Sequence, residues 1–267
     1  MKNLFDVRGK VIVLTGATGI LGQPMVKYMA EQGANVVLIA RNAAKAEAVV
    51  KELGVEATIF VADVLDREAL ESAYNGVIEK FGKVDVLVNL AGGNQAGATI
   101  PDDKTLYDID MEAMRGVIDL NFFGTLLPIY VFSKSMAERG EGSIINIASM
   151  ASFRPLTRVM GYAASKSAIV NMTQYLCGEM ALKFSSKIRV NAIAPGFFLT
   201  EQNRTLLTNP DGSLTERADK IIAHTPFRRF GNAEELLGAL HYLSSDASSF
   251  VSGEVMAVDG GFNAFTL

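Results

Sequence analysis

The segment GYAASKSA (161–168) sets Tyr162 four residues before Lys166. At that interval both side chains lie on one face of a helix. A free phenol titrates near pH 10, too high for a good acid–base group at neutral pH. A neighbouring ammonium favours the phenolate and is expected to lower that value. The pair could then give a proton to an alkoxide or take one from an alcohol. Ser149 ends the apolar run SIINIAS (143–149), thirteen residues upstream of Tyr162. Its hydroxyl could donate a hydrogen bond to the same substrate oxygen. Taken singly, each residue also has a structural reading: a core Tyr, a strand-end Ser, a solvated Lys.

A second stretch with chemical content is VIVLTGATGILGQPM (11–25). It places Gly16, Gly19 and Gly22, with Ile20 and Leu21 between them, where a strand pattern gives way to a helix pattern. Gly16 permits a tight turn, Gly19 a close backbone approach, and Gly22 close helix–strand packing. Backbone N–H groups and the positive end of the helix would then meet a dinucleotide pyrophosphate. The next strand pattern ends VVLIARN, with Ala40, Arg41 and Asn42 where an acidic residue would hold the ribose hydroxyls of NAD. Arg41 could grip a 2′-phosphate instead, which favours NADP while leaving NAD possible. An Arg stacked on adenine would suit either cofactor.

These groups need a scaffold that brings them together. Short apolar, β-branched runs at 10–15, 35–40, 56–62, 84–90, 143–149, 188–194 and 254–259 read as strands covered on both faces. Helical patterns lie between them at about 20–32, 43–53, 67–81, 111–138, 162–184 and 232–245. The alternation predicts an α/β fold: one Rossmann-like, doubly wound parallel sheet of about seven strands with helices on both faces. No linker or repeat divides the 267 residues, so a single dinucleotide-binding and catalytic domain is expected over 1–267. The stretch 196–230, without a clear period and with turn chemistry at NPDG, reads as a substrate loop.

Composition excludes several classes. A net charge of −4 is against nucleic-acid binding, which needs a basic face. The one cysteine, Cys177, cannot form an internal disulfide and fits a reducing, cytoplasmic setting. The two histidines have no partners at metal spacing, so no metal site is expected. No signal-like segment opens the chain, and the densest apolar run, FFGTLLPIYVF (122–132), is short for a membrane span and holds a Pro.

The ordered set of motifs resembles the short-chain dehydrogenase/reductase family over essentially the whole chain. Thr15, Gly16 and Gly22 match the family's glycine-rich turn, although its middle glycine is one place early, at Gly19. Further matches are Asp63 and Val64, Asn89 with Ala91 and Gly92, Asn121, Ser149, Tyr162 with Lys166, and Pro195 with Gly196. Leu90 stands where the family often has a second, sheet-bracing Asn. The resemblance implies that Asn121, Ser149, Tyr162 and Lys166 are catalytic, with Asn121 at a helix kink relaying protons through water. It implies adenine contacts at Asp63 and Val64, a nicotinamide ribose held by Lys166, and further cofactor contacts at Asn89, Phe198 and Thr200. It also implies a dimer contact through the two longest helices and commonly a homotetramer. Ile169, Met172, Leu176 and Met180 are expected on that exposed face.

Finer motifs, among them AGGNQAGAT, SMASFRPLTRVMGYAASKSA and KIIAHTPFRRFG, resemble the short-chain fructuronate reductases, also called D-mannonate oxidoreductases. A sugar acid would bring hydroxyls and a carboxylate. The candidate substrate residues are Asn94, Arg154, Arg158, Gln202, Asn203 and Arg204. A gluconate 5-dehydrogenase-like polyol or keto-acid reductase is the alternative enzyme. A non-catalytic NADP-binding sensor is the alternative from another class, and the complete Ser–Tyr–Lys set weighs against it.

Overall fold

The structure, a computed structural model, describes residues 3–200, 204 and 206–265. Seven strands form one parallel sheet: β1 (Val11–Thr15), β2 (Asn35–Ala40), β3 (Thr58–Val61), β4 (Val86–Asn89), β5 (Gly142–Ile147), β6 (Ile188–Pro195) and β7 (Val255–Val258). Their order is β3-β2-β1-β4-β5-β6-β7. The order reverses between β1 and β4, and their registered ends, Thr15 beside Asn89, mark the switch point of the sheet.

Alternate strand residues feed opposite layers. Val11, Val13, Val37 and Ile39 belong to one apolar cluster, while Ile12, Leu14, Val36 and Leu38 belong to the other. Covering on both faces is why these strands lack polar alternation. The covering helices are α1 (Gly22–Glu31), α2 (Ala43–Leu53), α3 (Arg67–Phe81), α4 (Met111–Ile118), α5 (Gly124–Arg139), α6 (Met160–Lys183), α7 (Glu216–His224) and α8 (Leu237–Ser244). Local chemistry sets several ends. Asn42, Asp66 and Asp110 cap the starts of α2, α3 and α4 with their side chains. Gly54, Gly82 and Gly140 close α2, α3 and α5 in the left-handed conformation.

The structure departs from the sequence reading in five places. The expected helix over 111–138 is broken by a π-helical turn, Asp119–Phe123, that contains Asn121. Ser149 does not end a strand: β5 stops at Ile147, and Ser149 caps a short 3₁₀ turn, Met150–Ser152. The expected loop at 196–230 carries α7, started by the Thr215 side chain, and Phe198 bridges to Gly231. Ile169, Met172 and Met180 face inward and belong to the chain's own core, with Leu176 packed against it. The exposed stripe of α6 runs instead through Met160, Ala164, Ser167, Asn171, Tyr175 and Leu182. Finally, residues 111–139 are long and apolar enough to cross a membrane by composition alone, but the π turn divides them, and Val117, Ile129, Val131, Phe132 and Met136 are buried.

Candidate active site

The C-terminal ends of β1, β4, β5 and β6 converge on one cleft. At the β1 exit, Gly16 has φ +65, and a Cβ there would lie 2.6 Å from the Ala91 nitrogen. Only glycine satisfies both conditions. A Cβ on Gly22 would lie 2.5 Å from the Ala17 Cα, so α1 packs against its own entry turn. A Cβ on Gly19 would meet nothing nearer than the Gly16 carbonyl at 3.6 Å. Gly19 is therefore not demanded by the protein's own packing, and space lies open beside the turn that Ile20 and Leu21 complete. No side chain caps α1; its first two amides bond the Gly19 carbonyl and Pro24 has none, so the helix dipole rather than free N–H groups would draw an anion there. The early middle glycine thus keeps a cradle that fits a pyrophosphate.

Several expected contact residues are committed to the scaffold. The Thr15 hydroxyl is buried and accepts from Ala91 N at 3.3 Å, tying β1 to the β4 exit. Asn89 turns inward and donates to Asn146 Oδ1 at 3.0 Å, and Asn146 donates to Thr173 on α6 at 2.9 Å. This chain of hydrogen bonds supplies the bracing that Leu90 cannot. Gly196 has no room for a Cβ beside Asp259, so β6 and β7 leave the sheet together. Phe198 is buried, and Thr200 is half-buried just beyond it.

At the β2 exit, Arg41 lies exposed with a guanidinium nitrogen 3.7 Å from Asp63 Oδ2. The sequence around Arg41 holds no acid, but β3 brings one alongside. Asn42 is occupied as the cap of α2, and Val64 is buried against Gly124.

Lys166 is the centre of the reacting group. Its ammonium is buried and donates to the Ile147 carbonyl at 2.7 Å, at the last residue of β5. It lies 5.7 Å from the centroid of the Tyr162 ring. The Ser149 hydroxyl accepts from Ala151 N at 3.2 Å and lies near enough to the Tyr162 phenol to pull its value down. Asn121 is fully buried: its Nδ2 donates to the carbonyls of Gly93 and Val117, and its Oδ1 accepts from Gly93 N. A Cβ on Gly92 would stand 2.8 Å from Asn121 Oδ1 and 3.3 Å from Lys166 Nζ. The π turn therefore locks the segment after β4 against the lysine.

Burial dominates the electrostatics of the pair. Burial lowers the Lys166 ammonium to about 8. Burial also raises the Tyr162 phenol, and the Ser149 hydroxyl offsets only part of that. Tyr162 accordingly holds its proton at neutral pH while Lys166 remains largely charged.

Among the substrate candidates, Arg158 and Asn94 are half-buried, whereas Arg154 and Arg204 are exposed. Arg154 reaches the carbonyl of Asn263. Gln202 and Asn203 lie outside the described residues. Sequence reasoning missed Arg217, on α7, which holds Thr157 through both Nη atoms. Its only sequence signal was a helical spacing inside a stretch read as loop. A separate cleft of about 470 Å³, lined by Lys10, Asp85, Arg139 and Arg189 among others, sits at the opposite, N-terminal edge of the sheet and holds none of the reacting residues.

The chain is similar to known proteins along its whole length. A family model described as enoyl-(acyl carrier protein) reductase matches residues 16–263. The uncharacterized oxidoreductase UxuB of Bacillus subtilis (strain 168) is 42% identical, with 98% of this chain and 97% of that protein covered. A provisionally named D-mannonate oxidoreductase from Haemophilus influenza, solved with bound NAD, superposes with a TM-score of 0.91 at 40% identity, covering 99% of each chain. A gluconate 5-dehydrogenase from Burkholderia cenocepacia J2315, in complex with NADP and tartrate, gives 0.85 at 30% identity over 98% of each chain.

The Lys166 environment makes stability depend on pH in a defined direction. The folded ammonium titrates near 8, below its ordinary 10.5. Between those values the unfolded chain holds a proton that the folded chain has shed, so folded stability rises with pH across that window. Lys166→Met removes this term. In urea titrations its stability relative to wild type should fall by about 3 kcal/mol from pH 8 towards 10.5. A pH-independent difference would contradict the buried, depressed lysine.

Proposed function

We propose, for a chain that belongs to the short-chain dehydrogenase/reductase family, that it is an oxidoreductase interconverting the ketone and secondary alcohol of a sugar acid. D-fructuronate and D-mannonate are the favoured pair. The observation that carries the reading is the buried Lys166 ammonium 5.7 Å from the Tyr162 ring, with the Ser149 hydroxyl near enough to lower the phenol's value. The bound nicotinamide dinucleotide supplies or accepts the hydride. The glycine turn fits its pyrophosphate, because Gly19 leaves the cradle open and no side chain occupies the start of α1. NADP is favoured over NAD through Arg41, although Asp63 competes for the same guanidinium.

The chain's own residues carry the proton. Ser149 donates a hydrogen bond to the substrate carbonyl oxygen and orients it on Tyr162. As that oxygen gains negative charge, Tyr162 gives up its proton and Lys166 stabilises the phenolate left behind. The raised Tyr162 value means that the cofactor-free protein already holds the proton reduction requires. Asn121 holds Gly93 and the adjoining backbone against Lys166, so the ammonium cannot drift from the phenol. The stretch 196–230, with α7, covers the substrate as part of one 1–267 domain. A gluconate 5-dehydrogenase-like activity is the second reading, supported by the Burkholderia relative.

The exposed stripe of α6 is uncharged, and Gly178 on the same helix has open space above it. Uncharged helical faces on soluble chains are covered by partners more often than charged ones. A homotetramer in the cytoplasm, pairing through this stripe, completes the proposal.

Purified protein with reduced cofactor should consume it when given D-fructuronate, as read by the near-ultraviolet absorbance of the reduced nicotinamide. Tyr162→Phe should lower kcat about 10²–10⁴-fold with cofactor affinity near wild type. More than half of wild-type kcat in that variant would sink the assignment. Arg41→Ala should weaken NADPH much more than NADH, and Asp63→Asn should tighten NADPH. Equal weakening of both cofactors by Arg41→Ala would make Arg41 an adenine-stacking residue. Light scattering should give a multiple of the 28.7 kDa chain mass, and Gly178→Arg should reduce it. A wild-type mass of one chain would refute the assembly.

A further inference from the structure

Three segments that leave the C-terminal ends of β4, β5 and β6 meet at the rim of the cleft. Ile100 N donates to the Arg158 carbonyl at 3.0 Å. Arg217, on α7, donates to Thr157 Oγ1 at 2.7 Å and to the Thr157 carbonyl at 3.2 Å. Arg158 stands four residues before Tyr162, so this junction adjoins the reacting group. Arg158 also adopts φ +76, a left-handed conformation rare for a long L side chain. Such strain persists only where the surroundings over-determine it, and it clusters at ligand sites.

The side chain has an unfilled requirement. Arg158 Nε is buried and has no hydrogen-bond partner, while Nη2 of the same guanidinium donates to Asp102 Oδ2. Nε and Nη2 form the edge of arginine that takes a carboxylate with two parallel bonds. Asp102 fills one half of that edge and leaves the other empty. Asp102 is itself 86% exposed, so its pairing is weak and screened. The charge count points the same way. Burial lowers the Arg217 value, and the nearby Arg158 charge lowers it further. Two guanidinium groups thus share a partly buried space with the exposed Asp102 carboxylate, while Glu216, near enough to feel Asp102, is itself paired with Lys220.

We propose that Arg158 and Arg217 form a two-arginine clamp for the carboxylate of the substrate, and that Asp102 is a placeholder which the incoming sugar acid displaces. The inference rests on the sugar-acid reading above and names the residues that select for it. A substrate carboxylate takes both the Nε and Nη2 of Arg158, satisfying the orphaned donor. It also neutralises the repulsion with Arg217, drawing α7 onto the cleft. A neutral polyol satisfies neither requirement. Arg154 is not part of the clamp, since it is turned to the Asn263 carbonyl.

The test is binding of D-mannonate and its neutral amide, D-mannonamide, to the cofactor-loaded protein by calorimetry. Wild type should bind the acid about tenfold or more tightly than the amide, and Arg217→Gln should bring the two close to equality by weakening only the acid. Asp102→Asn should tighten the acid several-fold and leave the amide unchanged, a gain that a purely structural role for Asp102 would not produce. Arg217→Lys keeps the charge and guards against a folding defect in the Gln variant. It should retain part of the discrimination, with the thermal midpoint of each variant measured alongside. Equal binding of acid and amide by wild type overturns the clamp. So does an Arg217→Gln variant that weakens both alike, or an Asp102→Asn variant that weakens the acid. A protein that discriminates as expected but reduces no keto-uronate would overturn the proposed reaction and leave the clamp standing.

Discussion

A single buried ammonium organises this molecule. Lys166 gives up bulk water and receives one strong partner, the Ile147 carbonyl at the end of β5. Removing a charge from water is costly, so everything around it must hold still to compensate. Gly92 makes room for it, Asn121 locks the segment after β4 beside it, and the π turn in the helix pair α4–α5 puts Asn121 there. A regular helix through 119–123 would turn that amide by the angle of a residue and lose the lock. The π turn is therefore a positioning device, as such turns often are.

The second constraint is close approach between backbones. The cleft exists because chain segments leaving neighbouring strands pass nearer to one another than a Cβ permits. Gly16 approaches Ala91, Gly22 approaches Ala17, and Gly196 approaches Asp259. The first gathers the exits of β1 and β4 at the switch point, where an α/β sheet binds its ligands, and the last holds the exits of β6 and β7 together. The hydrogen-bond chain from Asn89 through Asn146 to Thr173 ties β4 and β5 to α6. The helix that carries Tyr162 and Lys166 is thus fixed to the sheet that carries the glycine turn. Hydride and proton chemistry need that rigidity, because both depend on sub-ångström placement.

Charge is distributed unevenly around this frame. The reacting centre contains one ammonium and neutral hydroxyls, whereas arginines collect at the rim on segments that leave the sheet. An acidic chain with a net charge of −4 can still attract an anion if its cations are concentrated in this way. The strained Arg158 and the partly buried Arg217 lie where the rim meets α7. The proposed selection and the proposed chemistry would thereby sit on different elements: the chemistry on α6 and the turn after β5, the selection on segments able to vary without disturbing the sheet.

The sequence by itself determined the layered α/β fold, the strand positions, the ends of α2 and α3, and the residues from which the reacting set is proposed. These rest on local physics: apolar runs buried on both faces, capping side chains, and an interval of four along a helix. It also carried the glycine turn, because φ > 0 and the lack of a Cβ are properties of the residue. What only the tertiary structure decided involves residues far apart in the chain. Asp63 stands beside Arg41 because β3 pairs with β2. Ile169, Met172 and Met180 face inward because of how α6 is rotated on the sheet, which an apolar helix with no strong polar face does not reveal. Tyr162 is pushed up because burial outweighs the lowering effect of Ser149, and burial is a sum over neighbours from every layer. Arg217 met Arg158 because α7 folds back over the cleft. Periodicity reports which face of an element is apolar; which groups meet, and how dry they become, depends on how the elements are packed.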